Sequence, residues 1–149
     1  LADEPAPALD VRVQERVLEL LYSVSQHRGL AVLLITHDMG IVAGFAERVM
    51  VMYSGRIIEQ NGVDDLFARP AHPYTRGLLG AVPRIEQSTS RLVSIPGAPP
   101  TPFARPPGCH FHPRCSVAMD VCRTHYPAVT SEGGSMVACH LYGDAACSK

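Results

Sequence analysis

The chain has 149 residues, of which 46% are hydrophobic and 18% charged, and its formal net charge is −1. This balance supports a packed core and argues against a disordered chain. The lack of a basic excess argues against a nucleic-acid-binding protein. No apolar run approaches the length of a membrane span, so we expect any membrane association to involve a partner.

Two adjacent carboxylates, Asp3 and Glu4, follow the first apolar residues and precede Pro5. This arrangement is typical of a buried strand that ends at a cleft. One carboxylate there can hold Mg²⁺, directly or through water, and the next can deprotonate a water that attacks a phosphoryl group. The tripeptide alone is weak evidence, since a solvated turn has the same pattern. Leu1 is not an initiator Met and only two residues precede Asp3, so we expect the chain to be a fragment.

The next segment predicts an amphipathic helix. Asp10 is a suitable N-cap for a helix that begins near Val11, and His27, Arg28 and Gly29 are suited to its end. Apolar residues at spacings of three and four predict the buried stripe. They are Val13, Val17, Leu20, Leu21 and Val24.

Residues 30–35 form a continuous apolar run, which predicts a strand buried on both faces of a parallel sheet. His37 and Asp38 come directly after it. Ligands of open α/β sheets bind beyond the carboxyl ends of the strands, so we expect Glu4 and His37 to lie at the same sheet edge. Asp38 is interpreted as a residue that stabilises the turn.

Further elements follow in chain order. We predict helices at 39–45, 63–68 and 74–81, a hairpin of strands 48–53 and 56–60 around Ser54-Gly55, and an extended connector at 95–107. Seven of the thirteen prolines lie between Pro83 and Pro107, which marks a change in the character of the chain.

Five cysteines all lie beyond residue 108. Cys109, Cys115, Cys122 and Cys139 are separated by five, six and sixteen residues, and Cys147 is left over. This clustering favours a metal or cluster site, with free thiols and disulfides as open alternatives. Paired Cys-x-x-Cys knuckles are absent. Zinc nevertheless stays open because histidines lie nearby, namely His110, His112, His125 and His140.

The order of the N-terminal features resembles the C-terminal half of an ABC transporter ATP-binding subunit. By this resemblance Asp3 is the Walker B aspartate that engages Mg²⁺-ATP and Glu4 is the catalytic base. Residues 8–10, Ala-Leu-Asp, match the D-loop, so Asp10 would shape a dimer interface, and His37 matches the switch histidine of the γ-phosphate. Residues 6–7, Ala-Pro, depart from the hydroxyl residues usual in the family.

A narrower resemblance is carried by His72-Pro73-Tyr74-Thr75-Arg76 and the cysteines, which look like the C-terminal extension of oligopeptide and dipeptide importer ATPases. The resemblance implies that the four cysteines hold a structural [4Fe–4S] cluster. It also implies an α/β fold, the C-terminal part of a P-loop NTPase domain over residues 1–68, and a small Pro/Cys-rich extension over 69–149.

The implied function is ATP hydrolysis that drives import of dipeptides, oligopeptides or nickel. The implied partners are a second ATPase subunit, two membrane permease subunits and, indirectly, a solute-binding protein, with the chain peripheral at the cytoplasmic face of the plasma membrane. No Gly-x-x-x-x-Gly-Lys-[Ser/Thr] cradle is present in the 149 residues, and the signature motif is also missing. We therefore predict that this chain alone is inactive. The alternative is a stand-alone cysteine-rich metal or redox module without ATPase activity.

Overall fold

The computed structural model describes residues 1–5, 10–82 and 94–143. The chain divides into two compact units, Leu1–Ala46 and Glu47–Lys149, and the architecture is mixed α/β. Residues 6–9 of the predicted D-loop segment and Cys147 lie outside the described residues. Within the described residues, the helices are too short or too polar to cross a bilayer.

The first unit is a short parallel strand pair connected through a helix. Strand β1 (Ala2–Asp3) pairs with β2 (Leu34–Ile35), and helix α1 (Val11–Arg28) lies between them in the chain. Helix α2 (Met39–Phe45) follows β2, as predicted. This order is that of a βαβ unit, in which parallel strands bring their carboxyl ends to one edge.

The ends of α1 agree with the capping signals in the sequence. The Asp10 carboxylate accepts a hydrogen bond of 2.9 Å from the Arg12 N–H, and Gly29 ends the helix in the left-handed conformation with φ of 61°. His27 and Arg28 lie in the last turn, where cations interact favourably with the helix dipole. The predicted helix start and end are confirmed.

The buried face of α1 differs from the predicted stripe. Leu18 and Ser25 are buried, and Val17 and Leu21 are half-buried. The other predicted stripe residues are exposed, namely Val13 at 47%, Leu20 at 64% and Val24 at 45%. The inward face contains positions 14, 18, 21 and 25. It is rotated about the helix axis by about one residue relative to the predicted face. Apolar residues occur on several sides of this helix, so periodicity alone does not determine which side is buried.

The predicted strand at 30–35, buried on both faces, is wrong in extent and in burial. Only Leu34 and Ile35 form strand β2. Val32, Leu33 and Ile35 are 46–49% exposed. An apolar run becomes a doubly buried strand only where neighbouring strands and helices cover it, and within the described residues β2 pairs with the two-residue strand β1 alone.

The second unit is built on a four-stranded antiparallel sheet with the order β3-β4-β6-β5. The strands are β3 (Arg48–Tyr53), β4 (Arg56–Gly62), β5 (Val129–Glu132) and β6 (Ser135–Ala138). Ser54 and Gly55 turn the first hairpin with φ of 48° and 78°, as two-residue hairpin turns require. The predicted hairpin is confirmed, and β4 extends two residues beyond its predicted end.

Short helices complete this unit. They are α3 (Val63–Ala68), α4 (Pro73–Gly80), a 3₁₀ turn (His112–Arg114) and α5 (Val121–Thr124). The predicted helices at 63–68 and 74–81 are confirmed to within one residue. Residues 95–107 contain neither helix nor strand, in agreement with the predicted connector.

The core of the second unit lies on one face of β3. Val49, Val51 and Tyr53 are buried, whereas Met50 and Met52 alternate with them on the exposed face. Further apolar residues complete the buried cluster, including Ile58, Leu66, Leu79, Phe111 and Ala138. The core therefore joins the first hairpin to the cysteine-containing segment.

Candidate functional site

In the first unit, the side chains of Glu4 and His37 are in contact at the ends of the two parallel strands. The His37 Nδ1–H donates a hydrogen bond of 2.6 Å to the Glu4 Oε1. Backbone bonds hold both strand ends in place, from Ala2 N–H to the Leu33 carbonyl and from Glu4 N–H to the Ile35 carbonyl, both 2.9 Å. The expected placement at one sheet edge is confirmed.

The backbone of Glu4 adopts a positive φ of 39°. This left-handed region is uncommon for residues other than glycine, and such strain is concentrated at functional sites. Glu4 directly follows β1, and both side chains of the pair are accessible, with Glu4 43% and His37 83% exposed.

An open cleft of about 160 Å³ surrounds this pair. Its lining residues come from all four elements of the unit or their ends, namely Glu4, Pro5, Gln14, Leu18, Leu34, Thr36, His37, Asp38 and Ile41. Asp3 and Asp10 are not among them. Asp38 caps α2 through its Oδ1, which accepts from the N–H of Gly40 at 2.8 Å and of Ile41 at 3.3 Å. The interpretation of Asp38 as a turn residue is confirmed.

In the second unit, the four described cysteines line one small cavity, the four-cysteine cavity. Cys109 follows a tight turn, Cys115 follows the 3₁₀ turn, Cys122 lies in α5, and Cys139 comes directly after β6. None of the four forms a disulfide. Four separate elements therefore bring together residues that are up to thirty positions apart in the chain.

Backbone contacts fix the cysteine segments against one another. The Cys109 N–H donates to the Cys122 carbonyl at 2.9 Å. Gly108, with φ of 65°, makes this approach possible, because a Cβ at its position would lie 2.4 Å from the Cys122 carbonyl oxygen. The glycine of the Pro-Gly-Cys sequence is therefore required by packing.

Burial changes the acid–base properties of the thiols. It raises the pKa of Cys139 from 9.0 to about 11, and it also raises the pKa values of Cys109 and Cys115. These three side chains are thus protonated thiols at neutral pH. A metal that binds here would have to displace their protons, so its affinity would rise with pH.

Four thiols are the kind of ligand that iron–sulfur and zinc sites use. Their present spacing does not yet form such a site. Within residues 1–5, 10–82 and 94–143, no three His, Cys, Asp or Glu side chains lie in an arrangement that could hold a metal ion.

His72 belongs to the wall of the same cavity, which sequence reasoning did not anticipate. Its side chain is 1% exposed, and its Nδ1 caps α4 by accepting a hydrogen bond of 3.0 Å from the Tyr74 N–H. Burial, with a smaller effect of the Arg76 charge, lowers the pKa of His72 from 6.5 to about 4. The His-Pro-Tyr sequence predicted a helix start but no contact with the cysteines.

Glu59 is a second buried residue that the sequence did not reveal. Its carboxylate is 2% exposed and accepts two backbone hydrogen bonds, from Ala71 at 2.7 Å and from His72 at 2.9 Å. Charged residues in a strand are usually exposed, so no local signal marked it. Strand β4 thereby holds the segment that carries His72.

Aromatic packing and one arginine connect the remaining parts of this site. The Tyr53 ring lies 4.7 Å from Tyr74 and 5.3 Å from Phe111, measured between centroids. Arg114 donates to the carbonyls of Ile95 and Pro96 and to the Tyr53 hydroxyl, at 2.8–3.3 Å. The connector at 95–107 is therefore anchored to the same core.

Comparisons with known proteins agree with this arrangement. Residues 58–122 match the family described as "Oligopeptide/dipeptide transporter, C-terminal region". The chain is 50% identical over 143 residues to the oligopeptide transport ATP-binding protein AppD of Bacillus subtilis, which is 95% of this chain and 44% of that protein. It is 43% identical over 139 residues to OppD of Salmonella typhimurium, which is 93% of this chain and 42% of that protein.

The dipeptide transport ATP-binding protein DppD of Bacillus subtilis is 47% identical over 135 residues, which is 91% of this chain and 40% of that protein. The chain thus spans less than half the length of these relatives. They give no support to a stand-alone metal or redox module, since each is named as an ATP-binding protein. The chain is therefore a homologue of the carboxyl-terminal region of oligopeptide and dipeptide transport ATP-binding proteins.

Proposed function

We propose that this chain supplies the hydrolytic residues of an ATP-binding subunit that drives import of small peptides. The observation that carries the proposal is the 2.6 Å contact between Glu4 and His37 at the ends of two parallel strands. ATP hydrolysis needs a positioned water, a base to take its proton, and a donor at the γ-phosphate. The open cleft around this pair gives a phosphate access to both side chains.

In this proposal the two ring nitrogens of His37 have separate roles. His37 Nδ1–H donates to Glu4, so the imidazole is oriented and its Nε2 is left for the γ-phosphate. Glu4 keeps Oε2 to accept a proton from the attacking water, while the water oxygen bonds to the γ-phosphorus and the bond from that phosphorus to the leaving ADP oxygen breaks. Asp3 would hold Mg²⁺ through water.

The organisation of the rest of the subunit is also part of this proposal. We propose that residues 1–68 belong to a P-loop ATPase domain and that 69–149 form its extension, with Asp10 at an interface between two ATPase domains. A second ATPase subunit and two membrane permeases would complete the importer at the cytoplasmic face, with a solute-binding protein acting indirectly. Dipeptides, oligopeptides and nickel remain candidate solutes.

The four-cysteine cavity is proposed to hold a [4Fe–4S] cluster, with zinc as the alternative. The four free thiols around one cavity support this proposal. A bound cluster would cross-link four short segments of the extension. Its role would be structural, because these segments bury few large side chains.

The hydrolytic proposal is tested in the protein encoded by the complete reading frame that contains this chain. We expect Glu4→Gln to retain ATP binding and to lower the hydrolysis rate about 10²-fold or more, since a general base contributes that much. Glu15→Gln, an exposed change on α1, is the matched control. Phosphate release and filter binding of ATP measure the two effects. A Glu4→Gln rate equal to that of Glu15→Gln would refute the assignment.

The 149-residue chain itself provides a second test. It lacks the phosphate cradle, so we expect neither tight ATP binding nor hydrolysis from it. Sustained phosphate release that scales with the concentration of purified chain and disappears in Glu4→Gln would contradict this expectation.

A further inference from the structure

The cleft around Glu4 and His37 is also lined by Gln14, a polar residue that has no part in the steps described so far. The polar residues of the lining are Glu4, Gln14, Thr36, His37 and Asp38. Polar groups in a partly enclosed site need hydrogen-bond partners, either from the protein or from what the site binds. The partners of each side chain therefore show which of them is left for a ligand.

The other four polar side chains of the lining already have partners. Glu4 and His37 bind each other at 2.6 Å. Asp38 accepts from two backbone N–H groups of α2, and the Thr36 Oγ1 accepts from the Asp38 N–H at 3.1 Å. Among the residues that the structure describes, the side-chain amide of Gln14 has no hydrogen-bond partner.

The position of Gln14 on α1 makes this amide unusual. Gln14 lies in the first turn, on the inward face that also carries the buried Leu18. Ser25, further along the same face, is satisfied because its hydroxyl donates to a carbonyl of its own helix at 2.7 Å. The backbone N–H of Gln14 donates to the Asp10 carbonyl at 2.9 Å, so the helix start fixes the residue at the cleft wall. An amide half-buried there without a partner costs free energy that an apolar residue would avoid.

We propose that the side-chain amide of Gln14 binds the water that attacks the γ-phosphate. The inference rests on the proposed function, because it places this water between Gln14 and Glu4 in the cleft that both side chains line. The amide oxygen accepts a hydrogen bond from one O–H of the water, and the second O–H donates to the Glu4 Oε2. A lone pair of the water oxygen is then left for the γ-phosphorus.

Gln14 keeps its own protons throughout the reaction. One water proton passes to Glu4, the water oxygen bonds to the γ-phosphorus, and the bond from that phosphorus to the leaving ADP oxygen breaks. The second hydrogen of the water stays on its oxygen and remains bonded to the Gln14 amide. Gln14 thus restricts the orientation of the nucleophile, which affects the rate of the chemical step and leaves the affinity for ATP unchanged.

The test uses the protein encoded by the complete reading frame that contains this chain. Gln14→Met keeps the length of the side chain and removes its hydrogen-bonding groups, and Gln26→Met, an exposed change on the same helix, is the matched control. We expect Gln14→Met to lower kcat for phosphate release about 10-fold and to leave the KM for ATP within about twofold of wild type, since one hydrogen bond to the nucleophile is lost. We expect its urea midpoint to equal or exceed that of wild type, because an unpaired amide is replaced by an apolar group beside Leu18.

Glu4→Gln is measured in the same series so that the two proposals are separated. If Glu4→Gln hydrolyses ATP as fast as wild type, the proposed function fails and the inference fails with it. If Glu4→Gln is slow and Gln14→Met has the kcat of Gln26→Met, the inference alone is overturned.

Three other results would also overturn the inference. A raised KM with unchanged kcat would assign Gln14 to nucleotide binding. A kcat that falls together with the urea midpoint would assign it a structural role. If Gln14→Met does not fold, Gln14→Asn decides, because it keeps the amide and withdraws it by one methylene group, and a wild-type kcat in that variant would exclude the proposed contact.

Discussion

Acidification is expected to destabilise the second unit through His72. The His72 side chain is 1% exposed, and burial, followed by the Arg76 charge, lowers its pKa in the folded chain to about 4 from 6.5. The nearby Glu59 carboxylate is occupied by two backbone N–H groups. The unfolded chain therefore binds a proton at His72 more readily than the folded chain does.

The sign and size follow from proton linkage. The folded pKa is depressed, so the stabilisation is complete above pH 6.5 and is lost as the pH falls toward 4. A difference of about 2.5 pH units, at about 1.36 kcal/mol per unit, amounts to roughly 3 kcal/mol of unfolding free energy lost by pH 4. That is a large fraction of the stability of a small domain.

The assay is urea unfolding of the reduced, metal-free chain, followed by circular dichroism between pH 7 and pH 4. Other carboxylates also titrate there, so the comparison is with His72→Asn, which keeps the α4 cap and has no group that titrates in this range. We expect the unfolding free energy of wild type to fall by about 3 kcal/mol more than that of the variant. Parallel pH profiles, within about 0.5 kcal/mol, would refute the reasoning.

Three further outcomes are expected from the same unit. Gly108→Ala should lower the free energy of unfolding by about 3 kcal/mol or more, because the added Cβ would lie 2.4 Å from the Cys122 carbonyl oxygen and the φ of this residue is positive. Urea unfolding measures this change. Glu59→Gln should lower the free energy of unfolding by about 2 kcal/mol, since one of the two charge-assisted hydrogen bonds from backbone N–H groups is lost. Cys139, whose pKa is raised to about 11, should react slowly with iodoacetamide at pH 8 and faster up to pH 11, as followed by peptide mass spectrometry.

Matched controls make these outcomes specific. Gly133→Ala shares the positive φ of 57° but has open space around its Cβ, so it should cost only about 1 kcal/mol. Asp65→Asn alters an exposed carboxylate and should change stability by less than about 0.5 kcal/mol. Equal costs within either pair would contradict the packing argument. Alkylation of Cys139 at pH 8 as fast as that of an unfolded control peptide would contradict its burial.

Elements set by neighbouring residues could be read from the sequence. The ends of α1 follow from Asp10 and Gly29, whose effects act within a few residues. The hairpin at Ser54-Gly55 is likewise local. A similar signal, Gly133-Gly134 between alternating residues, marks the hairpin of β5 and β6, which the sequence analysis overlooked.

The candidate sites were predictable in part. The βαβ order placed Glu4 and His37 together because parallel strands share one carboxyl edge. The clustering of cysteines indicated a local site, and the structure brings the four described ones to one cavity. The catalytic and metal-binding roles of these residues remain predictions.

By itself, the sequence determined the order of the elements, their caps and turns, and the kinds of side chain available for chemistry. Only the tertiary structure decided which side of α1 is buried, that Glu59 is enclosed, and that His72 faces the cysteines across more than thirty residues of chain. The physical reason is one of range. Caps and turns depend on hydrogen bonds between near neighbours, whereas burial depends on which distant segments meet.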